Sequence, residues 1–373
     1  MAQANSPGRA TAALAIAAGL LVVSCWTIVP GPTLVTLAFA VVIPEVAPVA
    51  LPIGVLLTLV VARLVVGRLR TAAVILAIAA DLCLAWPLVA LPFVQHGVDV
   101  TLNAAGFPPS APAAIAVDVT RDVPVPLRDG GVLALDLYRP RIGGDRPLIV
   151  AIYGSSWRFG TRAGEASLAR RYAAQGYAVA VIDYRHAPRY VYPTQIDDVE
   201  DALRTIASHA RDWHIDPRRV ALLGRSAGAQ LALLAAERPG PLRIRAVVAF
   251  YAPTDLAGGW EMPPHPDPVD VRTVIREYLG GPPDAAHRRA YEIASPSNHI
   301  RAGMPPTLLV IGDRDEVVQP RFQRTFAARL RAADVTVVAL ELPWANHAFD
   351  EVDGTGARIA NDAATRFFAV ELR

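Results

Sequence analysis

The stretch Leu222-Leu223-Gly224-Arg225-Ser226-Ala227-Gly228 decides how this chain is read. The apolar run Val220 to Leu223 reads as a strand, Ala229 to Glu237 has the composition of a helix, and a Gly-x-Ser-x-Gly turn lies between them. Small residues on both sides of a serine permit a tight, strained turn, and such a turn holds the hydroxyl exposed at a helix amino terminus. The pentapeptide alone is a weak signal. Its strand-turn-helix setting makes Ser226 a candidate nucleophile.

A serine hydroxyl needs a base at neutral pH, and the base needs a carboxylate to fix its tautomer and stabilise the imidazolium. If the chain order is serine, acid, histidine, both partners lie downstream. The strand Thr307 to Ile311 runs into Gly312-Asp313-Arg314-Asp315-Glu316-Val317-Val318, and Val335 to Leu340 leads to Pro343-Trp344-Ala345-Asn346-His347-Ala348-Phe349. Three acids and one histidine thus occupy loops that leave the same edge of a sheet. Asp315 is the favoured acid, with Asp313 and Glu316 as rivals. The remaining histidines of residues 117–373, His186, His209, His214, His265, His287 and His299, show no ligand-like pairing, so neither a metal nor a cofactor is implied.

Further strands are read at Val132 to Tyr138, Leu148 to Ile152, Ala178 to Asp183 and Ala246 to Phe250, with helices at about 164–175, 195–211, 227–237, 320–333 and 356–370. That alternation predicts an α/β fold with a mostly parallel sheet over residues 117–373. Residues 255–292, with Trp260, Pro263, Pro264, Pro266 and Pro268, interrupt it at the edge where a substrate cap would sit.

Taken together, these motifs resemble the α/β-hydrolase superfamily, specifically the hormone-sensitive-lipase-like and bacterial BD-FAE-like carboxylesterases. Tyr153-Gly154-Ser155-Ser156-Trp157-Arg158-Phe159-Gly160 is similar to that family's His-Gly-Gly-x-Trp oxyanion segment. Asp183-Tyr184-Arg185-His186-Ala187-Pro188, followed by Tyr192-Pro193 and Asp197-Asp198, is similar to its Asp-Tyr-Arg-x-Ala-Pro and Pro-x-x-x-x-Asp stretch. The resemblance implies that Ser226 is the nucleophile, His347 the general base and then acid, and Asp315 the orienting acid. It also implies an oxyanion hole formed by backbone N–H groups of Ala227 and of Gly154 and Ser155. Tyr153 and Ser155 depart from the family's histidine and second glycine, which puts substrate fit and efficiency at issue. Tyr184, Arg185 and Asp198 are read as ties between the oxyanion loop and the sheet. Arg225 is read either as a contact for an anionic substrate or as a partner of a nearby acid.

The amino-terminal part obeys a different regime. The whole chain of 373 residues is 53% hydrophobic and 19% charged, with a mean hydropathy of +0.32, too apolar for an ordinary soluble enzyme. From Thr11 to Val94 the only acids are Glu45 and Asp81 and the only basic residues Arg63, Arg68 and Arg70. Spans are expected at Thr11 to Val29, about 49–66, and Thr71 to Val94, with Thr33 to Ile43 re-entrant or interfacial because Pro44, Glu45, Pro48 and Pro52 follow it. A cleavable signal is the competing reading of the first segment, since Val22-Val23-Ser24-Cys25 resembles a lipoprotein cleavage box, but the apolar segments that follow favour a polytopic anchor. Arg9, Arg63, Arg68 and Arg70 place the amino terminus and the second connection inside, so the charged part is expected outside the cytoplasm. The organisation expected is an anchor over 1–96, a linker over 97–116 and a catalytic domain over 117–373.

The net charge of +2 carries no basic block, so nucleic acid is not an expected partner. Cys25 and Cys83 both lie in the apolar part, which excludes a disulfide framework in the charged part. The expectation is a multi-pass, integral membrane serine hydrolase acting on small-molecule or lipid esters; nothing in the sequence sets an oligomeric state. Acyl transfer or polysaccharide deacetylation by the same residues, and a non-catalytic binding protein on this fold, are the alternatives.

Overall fold

A computed structural model describes residues 7–65, 68–94 and 115–373. Apart from its last two residues, the expected linker lies outside the described residues. Three helices, α1 (Pro7–Ser24), α2 (Leu34–Leu64) and α3 (Arg68–Ala90), precede an eight-stranded sheet. All three are long and apolar enough to cross a membrane.

The second helix differs from expectation. Instead of a broken segment followed by a span, α2 is one helix containing Pro44, Pro48 and Pro52. Their spacing of four places the missing N–H groups along a single strip, so the hydrogen-bond ladder is interrupted on one face only. A capping box between Thr33 and Thr36 starts the helix. Within the bundle, Thr58 donates to Asp81 at 2.7 Å, and the Thr27 hydroxyl is 2.9 Å from the carbonyl of Cys83. Asp81 thus pairs with a neighbouring helix.

The strands are β1 (Val117–Pro126), β2 (Val132–Pro140), β3 (Arg146–Ile152), β4 (Ala178–Ile182), β5 (Ile215–Arg225), β6 (Ile244–Phe250), β7 (Thr307–Gly312) and β8 (Val337–Leu342). Their order is β1-β2-β4-β3-β5-β6-β7-β8; β1 and β2 join antiparallel and the rest is parallel. The central strands are buried on both faces, hence their continuous apolar runs. The edge strand β1, with Asp118, Arg121, Asp122 and Pro124, was not expected as a strand: its polar, interrupted pattern hides it.

One face of the sheet is covered by α5 (Thr194–His209), α6 (Ala227–Glu237) and α10 (Pro320–Ala332), and α8 (Val271–Leu279) packs onto the same core. The other is covered by α4 (Ala166–Ala173) and α11 (Thr355–Glu371), whose core also takes in Ala90 at the end of α3. Residues 255–292 carry α7 (Leu256–Glu261) and α8, and α9 (Arg288–Ala294) follows at their end.

The helical part is joined to the sheet part by polar contacts as well. Both oxygens of Glu45 are used: Trp344 Nε1 donates at 3.0 Å and the Gly356 N–H at 2.6 Å. The Gly31 N–H donates to Glu316 at 2.7 Å. A carboxylate that looked like a break in an apolar run is the fastening of α2 to the second half of the chain.

Candidate active site

Strand β5 ends at Arg225, and α6 begins at Ala227, leaving Ser226 on the corner with φ 50° and ψ −120°. That conformation is strained for a residue with a Cβ and persists because its surroundings over-determine it. Glycine is required before it, since a Cβ on Gly224 would lie 2.3 Å from the Gly228 carbonyl oxygen. The corner aims the hydroxyl out of the sheet, next to the free N–H groups of the first turn of α6.

His347, on the loop after β8, places Nε2 3.0 Å from Ser226 Oγ, and its Nδ1 lies 2.9 Å from Asp315 Oδ2. A carboxylate only accepts, so Nδ1 carries the hydrogen and Nε2 turns a lone pair to the serine hydroxyl. The other Asp315 oxygen accepts the N–H groups of Val317 at 2.9 Å and Val318 at 2.7 Å, which orients the carboxylate. The rivals are engaged elsewhere. Asp313 pairs with Arg324, and Glu316 receives Gly31 N–H and the Asn346 side-chain amide. Asn346 also accepts the His347 N–H at 2.7 Å, holding the histidine loop against the acid loop.

The loop after β3 faces the serine. A Cβ on Gly154 would lie 2.8 Å from the Arg225 carbonyl and 3.2 Å from Ser226 Cβ, so only glycine lets this backbone come so close. The next three residues, Ser155, Ser156 and Trp157, all have positive φ (76°, 55° and 58°). Ser155 therefore adopts glycine-like backbone geometry despite its side chain. Neighbouring contacts hold it there. Tyr184 donates its hydroxyl to the Gly154 carbonyl at 2.7 Å, Tyr153 stacks on Tyr184 at 4.6 Å, and the Tyr153 hydroxyl lies 3.0 Å from His186 Nε2. Burial pushes the Tyr153 phenol up, so it keeps its proton for that network. Arg185 grips Asp198 through Nη2 at 2.7 Å and through its backbone N–H at 2.9 Å. These contacts agree with a tying role for Tyr184, Arg185 and Asp198.

A residue that the sequence did not single out anchors the same loop. Gln230, fully buried on α6, accepts Trp157 Nε1 at 3.0 Å and the Tyr278 hydroxyl at 3.3 Å, and donates to the Ala294 carbonyl at 2.7 Å. Trp157 stacks on Tyr278 at 4.1 Å. A polar residue in the middle of an otherwise apolar helix was its only trace in the sequence.

Arg225 faces the acids rather than open solvent. Its Nη1 donates to Glu165 at 2.6 Å, and Nε lies 2.7 Å from Asp350 Oδ2. Tyr251, whose ring lies 4.6 Å from that of His347, donates to the other Asp350 oxygen at 2.6 Å. Burial opposes the Arg225 charge, but Asp350 and Glu165 outweigh it and raise its pKa well above the usual range. Of the two readings of Arg225, the structure supports the internal pair. Among the described residues no group of three or more His, Cys, Asp or Glu is arranged to hold a metal ion.

Two cavities meet at Ser226. One, of 50 Å³, is lined mainly by apolar side chains, among them Trp157, Leu256, Ile275 and Phe322. The other, of 660 Å³, contains His347, Tyr153 and Gly154 and is closed on one side by Leu37, Ala38 and Val41 of α2.

Comparison with known proteins places this arrangement. Residues of the probable carboxylic ester hydrolase LipM of Mycobacterium tuberculosis are 32% identical over 252 positions, covering 63% of this chain and 57% of LipM. The esterase LipQ of the same organism is 30% identical over 253 positions, with 63% and 59% covered. The chain therefore spans under two thirds of the length of these two relatives. Among solved structures, the Pyrobaculum calidifontis esterase superposes with a TM-score of 0.60 at 24% identity, covering 69% of this chain and 86% of that one. A bacterial heroin esterase gives 0.60 at 23%, covering 70% and 85%. These structures show the α/β-hydrolase fold. The BD-FAE family profile matches residues 135–330, more than half of the chain, and the chain belongs to that family.

Proposed function

We propose that this protein is a membrane-anchored serine carboxylesterase. Ser226 Oγ attacks the ester carbonyl carbon while His347 Nε2 takes its proton, and Asp315 stabilises the imidazolium formed. The negative oxygen of the tetrahedral intermediate is received by the backbone N–H of Ala227 and those of the Gly154–Ser155 segment. The bond to the alcohol oxygen then breaks, and His347 returns the proton to that oxygen. Water, deprotonated by the same imidazole, attacks the acyl-enzyme, which releases the carboxylic acid and restores the serine. The Arg225–Glu165–Asp350–Tyr251 cluster supports the serine corner and the histidine ring from below. Residues 255–292 serve as the cap over the acyl side, and α1 to α3 serve as the anchor, with the catalytic part outside the cytoplasm.

The observation that carries this reading is the unbroken chain Asp315 Oδ2, His347, Ser226 Oγ with links of 2.9 and 3.0 Å at the corner before α6. The names of the relatives, a carboxylic ester hydrolase and esterases, support the same chemistry. Hydrolysis of 4-nitrophenyl acetate by the full chain in detergent tests it. Turnover by the wild type that Ser226→Ala abolishes is the expected result; equal turnover by both contradicts it. The orientation is tested by a reporter enzyme fused at the carboxyl terminus, which the reading expects to be active only outside the cytoplasm.

A further inference from the structure

The two cavities at Ser226 differ in size, in chemistry and in which catalytic group they contain. The larger includes His347; the smaller does not. In ester cleavage the leaving oxygen must receive its proton from His347 Nε2, so the alcohol portion of the ester lies on the histidine side. The acyl portion then occupies the other cavity. A volume of 50 Å³ is about four times the roughly 10–15 Å³ that one water molecule needs, which suits an acyl group of a few heavy atoms. A volume of 660 Å³ lies in the range of sites that enclose whole ligands, about 300–1,000 Å³.

The wall of the larger cavity reveals the kind of alcohol. Leu34, Leu37, Ala38, Val41 and Val42 line it, and all five belong to α2, a helix apolar enough to cross a bilayer. The opposite rim carries Phe159, 61% exposed, and the outer surface of α2 continues with Val35 and Phe39, 68% and 40% exposed. Of the charged residues that line it, Arg225 and Glu165 are withdrawn from solvent and paired with each other, while Glu351 is exposed to solvent. Glu45 and Gly31, through their bonds to Trp344, Gly356 and Glu316, hold this part of α2 against the two loops that bear His347 and Asp315.

We propose that the first turns of α2 form the alcohol-side wall of the site, and that the substrate is a short-acyl ester of a long apolar alcohol taken directly from the lipid phase. The proposal rests on the esterase reading above. It reverses the usual picture of a lipid ester, because the long chain belongs to the leaving group and the acyl group transferred to Ser226 is small.

Hexadecyl acetate and ethyl hexadecanoate test it, since they are isomers that differ only in which side of the ester bears the long chain. With the full chain reconstituted in phosphatidylcholine vesicles, kcat/KM for hexadecyl acetate should exceed that for ethyl hexadecanoate by about tenfold or more. Ala38→Trp, at an exposed position where the larger side chain projects into the cavity, should lower the ratio of hexadecyl acetate to 4-nitrophenyl acetate turnover by about tenfold. Val49→Trp, on the same helix outside the cavity, should leave that ratio within about twofold. Equal rates for the isomers, a preference for ethyl hexadecanoate, or an unchanged ratio in Ala38→Trp would overturn the proposal. Failure of the esterase reading looks different: no ester is cleaved, or Ser226→Ala cleaves all of them as fast as the wild type.

Discussion

The helical region and the α/β region solve the same problem, the placement of polar groups in an apolar interior, in opposite ways. In the helices the polar side chains are few and meet one at a time, as Thr58 meets Asp81 and Thr27 meets the Cys83 carbonyl. Around the sheet, charges are withdrawn from solvent in connected sets: Arg225 with Glu165 and Asp350, and Arg162 with Asp183 and Asp136. A bundle needs only to satisfy its own backbone and present an apolar surface. A site that moves protons needs side chains with fixed mutual geometry, and connected pairs provide it. Where the two regions meet, one carboxylate, Glu45, belongs to the first by sequence and to the second by its hydrogen bonds.

Substitutions ordered by expected effect test how deep this difference goes. Asp315→Asn keeps the shape of the acid loop but replaces an acceptor-only group, so the tautomer of His347 is no longer fixed; kcat for 4-nitrophenyl acetate should fall by about 10³- to 10⁴-fold with KM little changed. Retention of most of the activity would transfer the acid role to Asp313 or Glu316. At the seam, Glu45→Leu leaves the Trp344 and Gly356 donors without an acceptor, at about 1–3 kcal/mol for each. The denaturant midpoint of the full chain in detergent should drop accordingly. An unchanged midpoint would mean that the two regions are independent.

Glu237 sharpens the comparison through pH. Burial pushes its carboxyl up to about 8, against the opposing pull of Arg238 and Arg301. A raised carboxyl pKa means that the folded state holds a proton the unfolded chain has released between about 4.5 and 8. Its contribution to stability is complete below the unfolded value and is lost as pH rises through the folded one, with a slope of at most about 1.4 kcal/mol per pH unit. Glu237→Gln should flatten that part of the stability profile in thermal unfolding from pH 5 to pH 8; an identical profile in the variant would assign the slope to other groups. The smallest effect is expected in the bundle. Asp81→Asn keeps a hydrogen bond with Thr58 and should change stability in detergent by about 0.6 kcal/mol or less.

What could be read in the sequence follows the same division. The corner at Ser226, the acid loop and the histidine loop each depend on short-range pattern, a strand running into a turn of small or polar residues, and the structure brings Ser226, His347 and Asp315 together as their chain order suggested. The interior strands were legible because burial on both faces leaves an unbroken apolar run. The edge strand β1 and the continuity of α2 were not. In β1, polar residues mask the alternation, and in α2 three prolines and an acid look like breaks until their common face and the partners of Glu45 are seen. The substitutions at Tyr153 and Ser155 looked like defects because a motif records residue types, whereas the loop is held by stacking on Tyr184 and by hydrogen bonds whose partners lie about thirty positions downstream. Least legible of all was the cavity that residues 34–42 share with Ser226 and His347, a juxtaposition of distant segments that leaves no local signature.

The central claim is that Ser226, activated by His347, forms the acyl-enzyme. Intact-mass spectrometry of the full chain after brief exposure to an alkyl fluorophosphonate tests it most directly, because the probe reports the activated nucleophile without requiring the natural ester. The account predicts one adduct per chain, located on Ser226 by peptide mapping, and its loss in both Ser226→Ala and His347→Ala. An adduct on another residue, or an unlabelled wild-type chain that is otherwise folded, would contradict it.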